Sequence, residues 1–168
     1  MGPASLIFSP AEAADAAGVA AIRAAVAGDL TRDFGHGHWS STVTERGVLN
    51  DLKNSKVLLA RQGSDLVATL RLATRKPWAI DPSYFSSSAQ PVYLSDMAVA
   101  PGRQRQGIGR LCLEEAVKTA RDWPADAIRL DAYDAPAGAG RFYAKCGYRE
   151  VGRVIYRNTP LIYYELVL

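Results

Sequence analysis

The chain has 168 residues, 48% of them hydrophobic and 22% charged, and carries a formal net charge of +3. That size and balance are ordinary for one soluble globular domain with a real core. The mild positive charge suits an anionic ligand but is too weak to argue for nucleic acid, and no apolar run approaches the ~20 residues of a membrane span. The N-terminus has neither the basic nor the apolar region of a secretory signal. Cys112 and Cys146 form no disulfide framework and no metal-ligand spacing. They are expected as small core residues of a reduced, cytoplasmic protein.

In chain order, Leu6-Ile7-Phe8 reads as a short strand. Ser9-Pro10 reads as a helix start, Ser9 the N-cap and Pro10 the first helical position. The alanine-rich residues 11–27 would be that helix, weakened at Gly18 and stopped at Gly28. Residues 30–39 read as irregular, and residues 40–52 as a second helix interrupted or ended near Gly47. His36 and His38 invite a metal reading, but no cysteine or acidic cluster completes a ligand set. Two solvated imidazoles are the simpler account, so no metal is expected.

Residues 56–62 and 66–75 read as a hairpin around Gly63-Ser64-Asp65. A long connection follows at 76–90, with Trp78, Tyr84 and Phe85. Connections that long are usually functional or mobile. Residues 93–100 form an apolar strand bounded by Pro91 and Pro101. After the glycine-rich turn comes a helix whose apolar line is Ile108, Cys112, Ala116 and Ala120. A helix that opens on Gly107 and Gly109 offers unpaired N–H groups and a positive dipole end, which together make an anion site.

Two phosphate motifs fail here. The nucleoside-triphosphate loop needs Lys-Ser/Thr where Ile108-Gly109 stands. The dinucleotide fingerprint needs a third glycine where Cys112 stands. Downstream, Trp123-Pro124 ends the helix and residues 127–133 form a strand. Pro136 opens a helix over 136–146, Gly147 closes it, and Tyr148 starts a strand. Strands over 149–157 and 161–168, joined through Asn158-Thr159-Pro160, finish the chain.

The run Gln104-Arg105-Gln106-Gly107-Ile108-Gly109, after a strand ending Met97-Ala98-Val99-Ala100-Pro101, resembles the acetyl-CoA pyrophosphate loop of the Gcn5-related N-acetyltransferases (GNAT). Phe142-Tyr143, then three residues, Gly147 and Tyr148 resemble a second motif of that family. The order β-α-α-β-β-β-α-β-α-β-β is also the family's, over nearly the whole chain. The resemblance implies a single α/β (α+β) domain over 1–168, with a mixed sheet of about six to seven strands and about four helices. It implies acetyl-CoA as co-substrate and an amine acceptor, most simply a small molecule. A protein lysine or N-terminal acceptor, a non-catalytic acyl-CoA-binding module and a homodimer stay open. One departure is Asp134-Ala135-Pro136, where many relatives carry an Asn that contacts the cofactor.

Acyl transfer to an amine needs a deprotonated amine, an aligned thioester, a donor for the oxyanion and a proton for the leaving thiolate. The resemblance assigns cofactor contacts to Gln104, Arg105, Gln106, Gly107, Ile108, Gly109 and Arg110, and the oxyanion donors to the backbone of Met97, Ala98 and Val99. It makes Tyr143 the acid; a core tyrosine with a satisfied hydroxyl is the plainer alternative. It also implies that the region between the first two helices, with Phe34, His36, His38 and Trp39, borders the acceptor pocket. Trp78 and Tyr84 would either cover the acceptor or pack their loop down. Asp96 is the candidate base or ammonium partner, as an acid in an apolar strand where a buried carboxylate is costly unless used. The alternative is an ion pair with Arg71. Neither cysteine sits where an acyl-enzyme would form, so a ternary complex is expected.

Overall fold

The computed structural model describes residues 5–168. In order they form β1 (Leu6–Pro10), α1 (Ala16–Phe34), α2 (Glu45–Asn54), β2 (Lys56–Gln62), β3 (Asp65–Ala73), β4 (Pro91–Val99), α3 (Ile108–Asp122), β5 (Ala127–Tyr133), α4 (Gly140–Lys145), β6 (Arg149–Tyr156) and β7 (Thr159–Val167). The seven strands make one mixed sheet in the order β1-β2-β3-β4-β5-β7-β6. Strand pairing is parallel for β4/β5 and antiparallel for β1/β2, β5/β7 and β7/β6. This is the expected order of elements and class of sheet. By internal contacts the chain divides into one unit ending at Arg71 and completed by Asp96–Glu115, and a second of Leu72–Ser95 with Ala116–Leu168.

In the first unit, the expected helix start at Ser9-Pro10 is displaced. Pro10 pairs with Leu58 in the β1–β2 ladder, and the Ala11 amide bonds to the Val57 carbonyl, so the chain is still extended there. The turn into α1 is organised instead by Asp15, whose carboxylate accepts from the Glu12 amide at 2.8 Å. Gly28 does not stop α1. The helix runs on to Phe34 and ends at Gly35, whose φ of +80° only glycine adopts without strain. Residues 30–34, expected to be irregular, are therefore helical. The second helix starts at Glu45 rather than at Ser40, because Thr44 caps it by accepting from the Gly47 amide. Ala16, Val19 and Ala20 of α1 pack with Val48 of α2 and with Val57 and Leu59 of β2.

In the second unit, α4 is shorter than the expected 136–146. A Cβ on Gly138 would lie 1.8 Å from the Tyr133 carbonyl oxygen, so this backbone is pressed against the end of β5. Its C-terminus follows the glycine rule: Gly147, at φ +93°, donates to Ala144 while Tyr148 donates back to Tyr143. The last hairpin turns on Arg157-Asn158, both at positive φ, a two-residue type I′ geometry rather than a turn through Pro160.

The 76–90 connection is held down by groups that alternation alone would place at the surface. Arg129 and Glu165 are both buried and pair at 3.0 Å. Glu165 also accepts from the Ser86 amide, and Arg129 donates to the Ser86 carbonyl at 2.7 Å. The Tyr163 hydroxyl donates to the Ala79 carbonyl and accepts from the Asp81 amide, while Phe85 stacks on its ring at 5.2 Å. Phe85 therefore packs the loop down, whereas Trp78 is 81% exposed. Breaking a buried pair strands the other charge. Glu165→Leu should cost about 3–5 kcal/mol in urea unfolding. The double variant Arg129→Met/Glu165→Leu should recover only the part due to the stranded charge, because Ser86 still loses both of its backbone partners.

Candidate active site

The glycine-rich turn lies between β4 and α3, within the first unit. Gly102, Arg105 and Gly107 have φ of +82°, +61° and +83°. The turn is braced from inside: Gln104 Nε2 donates to the Val99 carbonyl, Gln106 Nε2 to Gly102, and Arg103 to both Gln62 and Asp65. Gly107, Gln104, Arg105, Gln106 and Arg110 are exposed, whereas Ile108 is buried as the first apolar position of α3. The first intrahelical bond runs from the Leu111 amide to the Gly107 carbonyl. Earlier amides have no helical partner, and Gly107 has no side chain to cap them. The expected apolar line Ile108, Cys112, Ala116 and Ala120 is buried along its whole length.

Asp96 differs from the expectation of a buried acid. Its φ is +52°, a left-handed conformation in the middle of β4 that Asp tolerates better than most residues. The pleat breaks there, and the side chain is 42% exposed. Arg71 Nη1 donates to Asp96 Oδ2 at 3.1 Å, which is the alternative ion pair read from the sequence. The same Arg71 nitrogen donates to Asp51 at 2.7 Å, and Asp51 accepts from Arg23 at 2.9 Å. Arg23 and Asp51 were not singled out from the sequence. The available signal was one arginine in register with Ala16, Val19 and Ala20 on the buried stripe of α1. Met97, Ala98 and Val99 follow Asp96 to the end of the strand.

Tyr143 lies in the second unit, on α4, among Phe142, Tyr148 and Tyr164, with ring centroids 5.3–6.0 Å away. Burial first, then the charge of Asp131, pushes its phenol well above the ordinary tyrosine value. Burial raises Tyr148 likewise, and the Tyr148 hydroxyl has no hydrogen-bond partner. Such groups hold their protons in the folded state after the unfolded chain has lost them near pH ~10. Their contribution to stability is complete below about pH 10 and drains as pH rises above it. Thermal melting should show that decline, and it should be shallower in Tyr143→Phe/Tyr148→Phe.

Cys112 is buried, and burial alone pushes its thiol up to about 12, so it is no nucleophile at neutral pH. His36 and His38 are exposed. No group of three or more His, Cys, Asp or Glu that could hold a metal occurs among the described residues. No helix among them is long and apolar enough to cross a membrane. A pocket of about 370 Å³ at the start of β4, lined by Thr74, Gln90, Pro91 and Trp123 among others, has no titratable lining residue and offers no acid–base chemistry.

The family model described as "Acetyltransferase (GNAT) family" matches residues 24–148. The chain therefore belongs to the GNAT family of acetyltransferases, enzymes that transfer an acyl group from acetyl-CoA. Its fold is shared with a GCN5-related N-acetyltransferase from Rhodopseudomonas palustris, at TM-score 0.73 and 21% identity over 100% of this chain and 99% of that one. It is likewise similar to a ribosomal-protein-alanine N-acetyltransferase from Brucella melitensis, at TM-score 0.73 and 19% identity over 96% and 99% of the two chains. A third is yncA of Salmonella typhimurium, solved with its cofactor acetyl-CoA, at TM-score 0.71 and 18% identity over 97% and 94%. No curated protein sequence matches the chain.

Proposed function

We propose that this protein is a single-domain cytoplasmic N-acetyltransferase that moves the acetyl group of acetyl-CoA directly to the primary amine of a small molecule. The observation that carries the acceptor side is the exposed carboxylate of Asp96, turned out of β4 by a left-handed residue. A carboxylate is a poor base for an alkylammonium that titrates near ~10, but a good partner for it. Asp96 accordingly binds the acceptor ammonium, and water carries the proton away.

The amides opening α3, with Gln104, Arg105, Gln106, Gly107, Ile108, Gly109 and Arg110, hold the pyrophosphate by hydrogen bonds and helix dipole. Backbone N–H groups of Met97, Ala98 and Val99 stabilise the oxyanion. Tyr143 gives its proton to the departing thiolate; burial keeps the phenol protonated up to that step, although it also makes it a weaker acid than a free tyrosine. The buried Cys112 thiol supports direct attack over an acyl-enzyme.

Steady-state rates with both substrates varied test the mechanism. Intersecting double-reciprocal lines are expected for a ternary complex; parallel lines would mean an acyl-enzyme. Asp96→Asn should raise the acceptor KM about tenfold or more, with acetyl-CoA affinity unchanged. Small amines should outrun lysine and N-terminal peptides; the reverse order would assign a protein acceptor.

A further inference from the structure

Four charged side chains form a chain from α1 to β4: Arg23, Asp51, Arg71 and Asp96. Exposure rises along it, from 8% at Arg23 through 19% and 26% to 42% at Asp96. At its inner end two guanidiniums share the single carboxylate of Asp51. Nε and Nη2 of Arg23 and Nε of Arg71 are buried with no hydrogen-bond partner. Buried guanidinium N–H groups without acceptors are costly. The interior therefore carries more cation than anion, and Asp96, at the surface end, supplies the second negative charge.

An acceptor ammonium that pairs with Asp96 competes with Arg71 for the same carboxylate. A plain amine would draw Asp96 off and leave Arg71 underpaired beside an already underpaired Arg23. An amine that brings its own carboxylate restores the balance. Nε of Arg71 is buried, but once Asp96 has turned to the amine the carboxylate accepts from the outer edge of the guanidinium, in the place Asp96 held on Nη1. Arg71 Nη1 and Asp96 Oδ2 are in direct contact at 3.1 Å, so groups that replace this contact lie side by side, which suits an acceptor whose two charges are only about one or two carbons apart.

We infer that the Arg71–Asp96 pair is a zwitterion site, and that the acceptor is an amino acid whose carboxylate binds Arg71 while its amine binds Asp96. This rests on the amine-acetylation reading above and adds the substrate class to it.

The test is a matched panel: amino acids, their carboxamides and their decarboxylated amines, each with acetyl-CoA. Free amino acids should exceed both partners in kcat/KM by about 30-fold or more, since the partners leave Arg71 with Asp51 alone, which it shares with Arg23. Arg71→Lys keeps the charge but loses the fork, and should shrink that gap to a few-fold. Thermal melting reports whether the variant folds; if it does not, the wild-type panel alone decides. Amides and decarboxylated amines acetylated as fast as the acids would overturn this inference and leave amine acetylation standing. A protein that binds acetyl-CoA yet acetylates no amine in the panel would overturn both.

Discussion

Tyr143→Phe should lower the turnover number by about 10²–10⁴-fold, the usual worth of a positioned acid, with CoA affinity almost unchanged. The substitution removes one hydroxyl and little volume. Tyr143 packs edge-to-face on Tyr148, and the backbone closure at Gly147 that sets this contact needs no phenol. A purely structural tyrosine would give the opposite pair of results: about 1 kcal/mol of stability lost with the hydroxyl, and turnover intact. Because burial keeps the phenol protonated above its ordinary range, the deficit should be equal at pH 7 and pH 9. Wild-type turnover in the variant, with chemistry shown to limit the rate, would remove Tyr143 from the mechanism.

Gly109→Asp should weaken CoA binding by at least about 100-fold in calorimetry while the protein stays folded. Gly109 is the second residue of α3, where the helix offers its unpaired amides. Each charge-assisted hydrogen bond lost there is worth about 1.5–3 kcal/mol, and a carboxylate adds direct repulsion of the pyrophosphate. Gly109 is half-buried in the first turn of α3 and lies outside the buried line of Ile108 and Cys112, so the core should be little affected. Unchanged affinity in a folded variant would move the cofactor site elsewhere.

The local structure around both residues is legible in the sequence, and the reason is itself local. The glycine turn, the α3 apolar line and the Gly147 closure are each fixed by residues within a few positions of one another. Strands β2 and β5 match their sequence-read limits for the same reason. What was not legible depends on distant partners. Pro10 stays extended because β2 lies beside it, and α4 loses its first turn because Gly138 meets the end of β5. Arg129 and Glu165 are 36 residues apart, and only the β5–β7 register makes their burial affordable. The letters around Asp96 describe an acid buried in an apolar strand, and the structure exposes it. A left-handed residue within a strand leaves no compositional mark, so neither its exposure nor its place at the end of the Arg23 chain could be read ahead.

Acetyl transfer to a small-molecule amine is tested by incubating the purified protein with acetyl-CoA and a mixed panel of small amines, amino acids and peptides. Product masses and free thiol are then followed together. The expected result is one acetyl group on a small-molecule amine, thiol released in equal amount, and no acetyl left on the protein. Bound acetyl-CoA with neither acetylated amine nor thiol release would rule out transferase activity and make this chain an acyl-CoA-binding module.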